Sequence, residues 1–414
     1  MSSNNSHSLR TNISQSTLVD EINSLMKSDK TIIPFNKEQF LCHSLSVAEN
    51  IVYLDLANYS AVEEYSSQDQ IITVQTGTKI KALQNFLRHE EKWFPVAYYD
   101  DETSLLDLIL SAEIGPLEQL LGGLSRHILG LDSILGTGQL IKSGGKVVKN
   151  VSGYDLTRFF IGSYGYFALP IRAHLRLYSI PSHNLTFLIQ SDDWKQLLQV
   201  AKQISSSNTA LAYIELLNQR LVKLSTLEER YKLEKQFALA LRTYGGDATV
   251  SDAREIIKNS LPKNKLFYSI VDNPHDQDYI LQELSQISWF TNKATFPKEK
   301  QSKIIDLSIK ISDLSELLCE EKISSFPFVY KIASNRMRFC LDSITEQSIL
   351  LNHLADFARV NKMILPVAYG NDTYIRKVNN LGYDTNNGDQ LVTIKKQLKA
   401  QFDPHNSFNP YVEL

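Results

Sequence analysis

The stretch GGKVVKNVSGYDLTRFFIGSYG, residues 144–165, is the most informative part of this chain. Its glycines stand at positions 144, 145, 153, 162 and 165, and Gly138 lies just upstream. Glycine permits a positive φ and a close approach of the backbone to another group, because it has no Cβ. Dense glycine in a strand-like stretch is typical of tight bends or of such an approach. The stretch therefore predicts a cradle for a cofactor. The alternative is a glycine-rich turn assembly that only shapes the fold.

Composition and charge exclude several classes of protein. The chain has 414 residues, enough for two or three domains, and a net charge of −3 without a basic block, so we expect no nucleic-acid partner. Its three cysteines, Cys42, Cys319 and Cys340, lie far apart, which argues for reduced thiols and against an iron–sulfur cluster or a structural zinc in this chain. The polar start predicts a disordered lead and no signal peptide. No apolar run has transmembrane length, so we expect a cytoplasmic protein with at most a peripheral membrane contact through partners.

Hydrophobic periodicity changes at Pro181. Before this residue, the spacing of apolar residues predicts helices at 17–29 and 78–88 and strands at 31–35, 51–60 and 71–76. It also predicts a largely helical stretch at 104–130 and a hairpin at 131–142. After it, strands alternate with helices, which is typical of an antiparallel α+β domain. Helical spacing returns at 346–360 and near the C-terminus.

The motif GGKVVKNVSGYDL, followed by IGSYG and by AHLRLYSIP, resembles the FAD-binding domain of the vanillyl-alcohol-oxidase/PCMH superfamily, and within it the FAD-binding subunits of glycolate oxidase/dehydrogenase. VQTGTKIKALQNFL at 74–87 and FDPHNSFNP at 402–410 resemble two further segments of that family. The resemblance implies an α+β fold in which a PCMH-type FAD-binding domain carries an inserted ferredoxin-like α+β cap. The implied boundaries are 1–16 for the disordered lead, 17–181 for the FAD-binding domain, 182–345 for the cap and 346–414 for a C-terminal segment that returns to the FAD-binding domain.

The resemblance also implies a set of FAD-binding residues. These are Gly77, Ser104, Gly115, Asn150, Gly153, Tyr154, Gly162, Ser163, Gly165 and Asn409. Structural alternatives are open for some of them: Gly77 suits a strand-to-helix turn, and Asn409 suits a capped C-terminus. For Asp155, in the same polar group as Lys149 and Asn150, we favour a structural role.

Two segments depart from the family pattern. The family has a glycine-rich G-x-G-S loop where this chain has PFNKEQ at 34–39, and a pair of glycines where it has Leu106 and Asp107. Both replacements carry a Cβ, and Asp107 adds a negative charge where a diphosphate would lie. Two further differences are His127 in place of an aspartate, and YFA at 166–168 in place of T-L-G. These departures leave open whether FAD is bound through altered contacts or has been lost.

The family activity implied is oxidation of glycolate or a related small 2-hydroxy acid, in a complex with a glycolate oxidase-type flavoprotein subunit and an iron–sulfur subunit. This chemistry needs a cation for the carboxylate, a base for the hydroxyl proton and a flavin for the hydride. The spacing of Arg336, Arg338, Arg359 and His353 singles out none of them and favours solvated or ion-paired surface residues. The catalytic residues stay unassigned, and no metal motif or nucleophile elbow is present. The alternatives are a non-catalytic scaffold subunit that has lost FAD and a solitary sugar-type oxidase of the same superfamily.

Overall fold

The computed structural model describes residues 6–8, 14–35, 50–98, 100–145, 154–262, 266–289, 303–341, 343–370, 377–381 and 388–409. The strands in these ranges are β1 (Ser6–Ser8), β2 (Thr31–Phe35), β3 (Ile51–Asp55), β4 (Val62–Ser66), β5 (Ile71–Gln75), β6 (Lys92–Trp93), β7 (Ile128–Leu135), β8 (Leu140–Gly144), β9 (Ala168–Arg176), β10 (Tyr178–Ser179), β11 (His183–Ser191), β12 (Leu211–Asn218), β13 (Phe237–Gly245), β14 (Phe267–Val271), β15 (Lys303–Ser308), β16 (Phe328–Lys331), β17 (Arg336–Leu341), β18 (Leu365–Gly370) and β19 (Lys377–Leu381). The helices are α1 (Gln15–Lys27), α2 (Ile80–His89), α3 (Leu105–Ser111), α4 (Glu118–Leu121), α5 (Leu156–Phe160), α6 (Trp194–Ser205), α7 (Gln219–Val222), α8 (Leu227–Tyr231), α9 (Asp247–Ser260), α10 (Pro274–Trp289), α11 (Leu314–Cys319), α12 (Glu321–Ser324), α13 (Ile344–Val360) and α14 (Gly388–Phe402). The α+β class predicted from the sequence is confirmed.

Two main sheets and the short antiparallel pair of β6 and β10 lie in the N-terminal half of the chain. A small parallel sheet has the order β1-β3-β2, and a five-stranded antiparallel sheet has the order β4-β5-β9-β7-β8. The hairpin predicted at 131–142 is β7 and β8, which are joined through the turn at 136–138. Helix α2 packs its apolar stripe, Ile80, Leu83 and Leu87, into the core of the larger sheet. This stripe follows the i, i+3, i+7 spacing seen in the sequence.

Helix α3 joins the cores of the two sheets. All seven of its residues, LLDLILS, are buried. Leu106 and Leu110 pack in one core with Ile32 of the small sheet and Leu169 of the large one. The other side of the helix packs against the large sheet through Leu105, Leu108 and Ile109. A helix that is apolar on nearly all sides has to be buried, and here it fills the space between the two sheets.

The second half of the chain forms a nine-stranded sheet in the order β14-β11-β13-β12-β16-β17-β15-β18-β19, with every pair of neighbours antiparallel. Helices α6, α9, α11, α12 and α13 cover one face and close the largest core. The other face, which we call the inner face, carries Tyr213 and Leu217 of β12 and packs against Ala97 and Leu117 of the first half. The first half of the chain therefore lies against the inner face of this cap sheet.

The cap sheet extends beyond residue 345, the predicted end of the cap. Strands β18 and β19 pair within it, and Leu350 and Leu354 of α13 lie in its core. Helix α14 instead packs Leu398 and Phe402 against the core of the five-stranded sheet. We therefore propose that the cap runs to residue 381 and that the return to the FAD-binding domain begins with α14.

Candidate functional site

The loop 161–165, IGSYG, closes over the C-terminal end of α3. Gly162 N donates to Ile109 O at 2.8 Å, and Tyr164 N donates to Leu110 O at 2.9 Å. Gly162 and Gly165 have φ values of +81° and +72°, which favour glycine. A Cβ on Gly165 would lie 2.8 Å from Pro34 Cγ. Ser163 Oγ donates to Phe160 O at 2.8 Å, so these three predicted residues have local structural contacts.

The C-terminal tail lies beside this loop, and a buried ion pair holds it there. Lys399 Nζ donates to Asp403 Oδ2 at 2.7 Å and to Phe408 O at 2.6 Å. Asn409 N donates to Ile32 O at 3.1 Å, and Asn409 Nδ2 donates to Tyr164 O at 2.7 Å. Asn409 Oδ1 is buried and accepts no hydrogen bond. A buried acceptor without a donor is costly, so this oxygen can receive a donor from a bound group.

The turn that begins α3 has its polar groups satisfied internally. Ser104 N and Ser104 Oγ both donate to Asp107 Oδ2, at 2.8 Å and 2.7 Å, and Asp107 N donates back to Ser104 Oγ at 3.2 Å. The amides of Leu105 and Leu106 donate to the carbonyls of residues 78 and 76. This is a capping box, and it leaves none of these four amides free for a diphosphate. The carboxylate of Asp107 points back to its own helix.

Gly77 and Gly115 are required by close packing. A Cβ on Gly77 would lie 1.8 Å from Leu56 O, so the loop before β4 presses directly on this turn. Gly115 has a φ of +73°, and a Cβ there would lie 2.8 Å from Ala97 Cβ. Close packing thus accounts for both glycines, and a cofactor contact at either position stays a prediction.

The central glycine stretch is only partly described. Lys149, Asn150 and Gly153 lie outside the described residues. Tyr154 is 97% exposed. Asp155 Oδ1 accepts Arg158 N at 3.0 Å and caps α5, which confirms the structural role favoured for this residue.

His127, which stands where the family has an aspartate, is a core residue. His127 Nδ1 lies 3.1 Å from Tyr178 Oη, and His127 Nε2 lies 3.3 Å from Gly122 O. Burial lowers the pKa of His127 to about 4, so the ring is neutral at physiological pH. This position serves the packing of β7.

The inner face of the cap carries a stripe of charged side chains. Glu215 of β12 lies opposite Lys331 of β16, and Lys331 lies opposite Arg336 of β17. Arg338 of β17 lies opposite Asp306 of β15. Residues two apart on a strand share a face, so register alone brings these five side chains together on one side of the sheet.

Ion pairs connect this stripe to the first half of the chain. Glu113, which follows α3, accepts Arg338 Nη2 at 2.6 Å and Arg336 Nη2 at 3.2 Å through Oε1, and Lys331 Nζ at 3.4 Å through Oε2. Asp306 accepts Arg338 Nε at 2.6 Å and Nη2 at 2.7 Å, and Arg336 Nη2 at 2.9 Å. Burial alone would raise the pKa of Glu113, but Arg338, Lys331 and Arg336 outweigh it and hold this pKa well below its usual range.

Glu215 differs from the other two carboxylates. It is 2% exposed, and neither of its oxygens accepts a hydrogen bond. Burial raises the pKa of Glu215 to about 7, against the opposing influence of Lys331 and Arg338. A partly protonated carboxyl group beside cations, at the contact between two domains, is typical of a site that binds or transforms a ligand.

The structure corrects one expectation and supplies residues that sequence reasoning missed. The expectation of a solvated or ion-paired surface residue is wrong for Arg338, whose side chain is only 4% exposed, whereas Arg336 is 27% exposed and ion-paired. Arg359, by contrast, is 76% exposed and pairs with Asp356 on the same helix. The missed residues are Glu113, Glu215, Asp306 and Lys331. One signal was available for Glu215, because it is the only charged residue in the apolar strand LAYIELLN.

Fold and site together define a class: two-domain α+β proteins in which the N-terminal domain lies against the inner face of a cap sheet. Residues 14–144 match the family of FAD binding domains. The chain is 23% identical to a probable mitochondrial D-lactate dehydrogenase of Danio rerio over 70% of this chain and 59% of that protein. It is 28% identical to the glycolate oxidase subunit GlcE of Escherichia coli, over 36% of this chain and 42% of the relative. The glycolate oxidase subunit GlcD of Bacillus subtilis is 26% identical, over 45% of this chain and 40% of that protein.

A solved structure of alkyldihydroxyacetonephosphate synthase superposes with a TM-score of 0.69 over 97% of this chain and 75% of that one, at 11% identity, which shows a shared fold. The matched regions span about three-fifths or less of the curated relatives. The match over residues 14–144 and the similarity to these relatives support the assignment of that segment to the PCMH-type FAD-binding domains. This assignment supports FAD as its cofactor.

The described residues fit FAD in part. Asn409 Oδ1 and Thr78 Oγ1 are buried oxygens without a hydrogen-bond partner, and both can accept from the hydroxyl or N–H groups of a dinucleotide. The amides of residues 104–107 do not fit the diphosphate, because each already has a partner. In the part of the chain that the structure describes, no group of three or more His, Cys, Asp or Glu side chains is placed to hold a metal ion.

Proposed function

We propose that this chain is a FAD-dependent oxidoreductase that acts on a small 2-hydroxy acid, with glycolate or a close relative as substrate. The observation that carries the proposal is Glu215, an unpartnered buried carboxyl group next to the cations of the inner face. A 2-hydroxy acid has a carboxylate for the cations and a hydroxyl group that can donate to Glu215. The names of the relatives, which act on D-lactate or glycolate, point to the same substrate class.

The roles of the residues follow from their chemistry. Arg336 and Arg338 offer planar guanidinium groups that bind a carboxylate with two parallel hydrogen bonds, and Lys331 adds a point charge. Glu215, with a pKa near 7, is suited to take the hydroxyl proton, because a base works best when its pKa lies close to the working pH. Asn409 and Thr78 would hold polar groups of FAD, which when bound supplies the hydride acceptor.

Membership of a complex is part of the proposal. Similarity to the glycolate oxidase subunits GlcD and GlcE supports assembly with a flavoprotein subunit of that kind. An iron–sulfur subunit would carry the electrons onward, and the cytoplasmic location predicted from the sequence belongs to the same proposal. None of the helices in the described ranges has the length and apolar composition to cross a bilayer.

A second candidate is a scaffold subunit without FAD. The observation that favours it is the first turn of α3, where Ser104 and Asp107 bond to each other and Leu106 packs in the core. In a scaffold subunit of this kind, the fold serves the assembly of the complex, and the first turn of α3 no longer contacts the diphosphate of FAD.

The visible spectrum of the purified full-length chain separates the two candidates. Flavin absorbance that is lost when glycolate or D-lactate is added without oxygen supports the oxidoreductase. The loss should be slower by about 100-fold or more in Glu215→Gln. It should be unchanged in Glu63→Gln, whose partner Arg172 lies in the five-stranded sheet. A colourless, well-folded chain that co-purifies with a partner subunit would support the scaffold instead.

A further inference from the structure

We propose that Glu113 is a built-in carboxylate that occupies the anion site of the cap, and that a small monocarboxylate binds there by taking its place. The identification of this anion site with the substrate site rests on the proposed function. The exchange itself rests only on the ion pairs between the two halves of the chain.

Glu113 is the member of the cluster that the cap does not supply. It lies between α3 and the 3₁₀ turn Gly115–Leu117, and its side chain is 3% exposed. All three cations of the stripe contact it, at 2.6, 3.2 and 3.4 Å. A carboxylate that reaches across a domain contact to Lys331 and two arginines occupies the position that a bound carboxylate would need.

The cap can release Glu113 without exposing an unpaired arginine. Asp306 holds Arg338 through two hydrogen bonds of 2.6 and 2.7 Å and Arg336 through one of 2.9 Å, and none of these involves Glu113. Glu113 itself lies in neither a helix nor a strand, and Ala112 and Gly115 on either side have φ values of +58° and +73°. The guanidinium groups therefore stay in place when this one side chain leaves.

Charge balance favours exchange over simple addition. Arg338 Nη2 is shared between Glu113 and Asp306, and Arg338 Nε also donates to Asp306. A third carboxylate therefore cannot form two parallel hydrogen bonds with Nε and Nη2. Replacing one buried carboxylate with another leaves the charge of the cluster unchanged, whereas adding one would place a further charge in a buried site. A small monocarboxylate is the ligand class that satisfies both conditions.

The test is rescue of a variant by an added carboxylate, measured by thermal unfolding of the full-length chain. Glu113→Ala removes the internal carboxylate, and sodium acetate is the probe, with sodium chloride at equal ionic strength as the reference. We expect Glu113→Ala to have a lower Tm than the wild type and to recover at least half of the loss with acetate, in a saturable way. Glu63→Ala, which breaks an ion pair with Arg172 elsewhere, should show no effect specific to acetate. Equal responses of Glu113→Ala to acetate and chloride would overturn the proposal.

A second variant keeps the test informative if Glu113→Ala does not fold. Glu113→Gln has the same shape without the charge, and calorimetric titration of it with glycolate should give a Kd at least ten times lower than that of the wild type. An unchanged Kd would overturn the exchange. Both measurements need neither flavin nor turnover. Carboxylate binding without any reduction of flavin by 2-hydroxy acids would therefore keep the exchange and refute the proposed function.

Discussion

Two buried carboxyl groups, Asp107 at the start of α3 and Glu215 on the inner face of the cap, show opposite uses of an acid inside a protein. Asp107 accepts two hydrogen bonds from Ser104 and is part of a capping box. Glu215 accepts none, although cations lie on the neighbouring strands. In the first case the acid contributes to folding through local contacts, and in the second it keeps an unfilled capacity to bind. The role of a charged residue in an apolar segment therefore follows from its hydrogen-bond partners, and its presence in the segment alone does not indicate that role.

The same contrast separates the two halves of the site. On the cofactor side, the residues at the family's glycine pair have become a capped helix with Leu106 in the core. On the cap side, the stripe of cations is complete and includes an acid whose pKa lies near 7. Changes on the two sides should therefore have different consequences for stability and for flavin content.

The largest effect is expected from Arg338→Leu. It removes the cation shared by Glu113 and Asp306 and leaves both carboxylates without their main partner. Breaking a buried ion pair from one side costs about 3–5 kcal/mol, measurable as a fall in the free energy of unfolding in urea. Arg359→Ala removes an exposed pair on α13 and should cost less than about 0.5 kcal/mol. Equal losses in the two variants would show that the stripe is not a buried network.

Glu215 should make stability depend on pH. Its pKa is about 7 in the folded chain against 4.5 for an ordinary glutamate, so the folded state holds a proton that the unfolded state has released. The free energy of unfolding should therefore fall as pH rises from about 4.5 to 7, by about 3 kcal/mol from this group, and the loss should persist above pH 7. Urea titrations across this range should show that Glu215→Gln lacks this component. An identical pH profile in wild type and variant would contradict the burial of an unpartnered carboxyl group.

A smaller effect is expected at Asp107. Asp107→Ala removes the reciprocal cap of α3 and should lower the free energy of unfolding by about 1–2 kcal/mol. Asp155→Ala, at the cap of the more exposed helix α5, should cost less in the same urea assay. If Asp107→Ala is neutral in stability but raises the flavin content of the purified chain, Asp107 blocks the cofactor and does not serve the helix.

The smallest effect on stability is expected from Tyr154→Ala. The side chain is 97% exposed, so its loss should change the free energy of unfolding by less than about 0.5 kcal/mol. If Tyr154 contacts the cofactor as predicted, flavin retention through gel filtration should fall all the same. Unchanged retention would remove Tyr154 from the cofactor site.

The fold could be predicted wherever local periodicity was strong. The hairpin of β7 and β8 and the stripe of α2 lie where the alternation and the helical spacing predicted them. Helix α10 was missed, because its polar start, PHDQD, hides the apolar residues that follow. The stretch 104–130 is less helical than predicted, since glycines at 115, 122 and 123 interrupt it.

The sequence indicates candidate site residues only on the cofactor side, where the motif is contiguous, and their contact with FAD stays a prediction. The inner face is assembled by strand register: Glu215 meets Lys331 because β12 pairs with β16, a long-range pairing that spacing does not reveal. Glu113 meets Arg338 because two separate parts of the chain pack together. No local pattern in either segment indicates these contacts, which is why Arg338 was expected at the surface.

The central claim is that the inner face of the cap is a site for a 2-hydroxy acid. The most direct test is the rate at which glycolate or D-lactate abolishes the flavin absorbance of the purified full-length chain in the absence of oxygen. We expect rapid loss in the wild type and a rate lower by about 100-fold or more in Glu215→Gln, because the base is removed while shape is kept. A wild-type chain that carries no flavin, or equal rates in the two proteins, would contradict the claim.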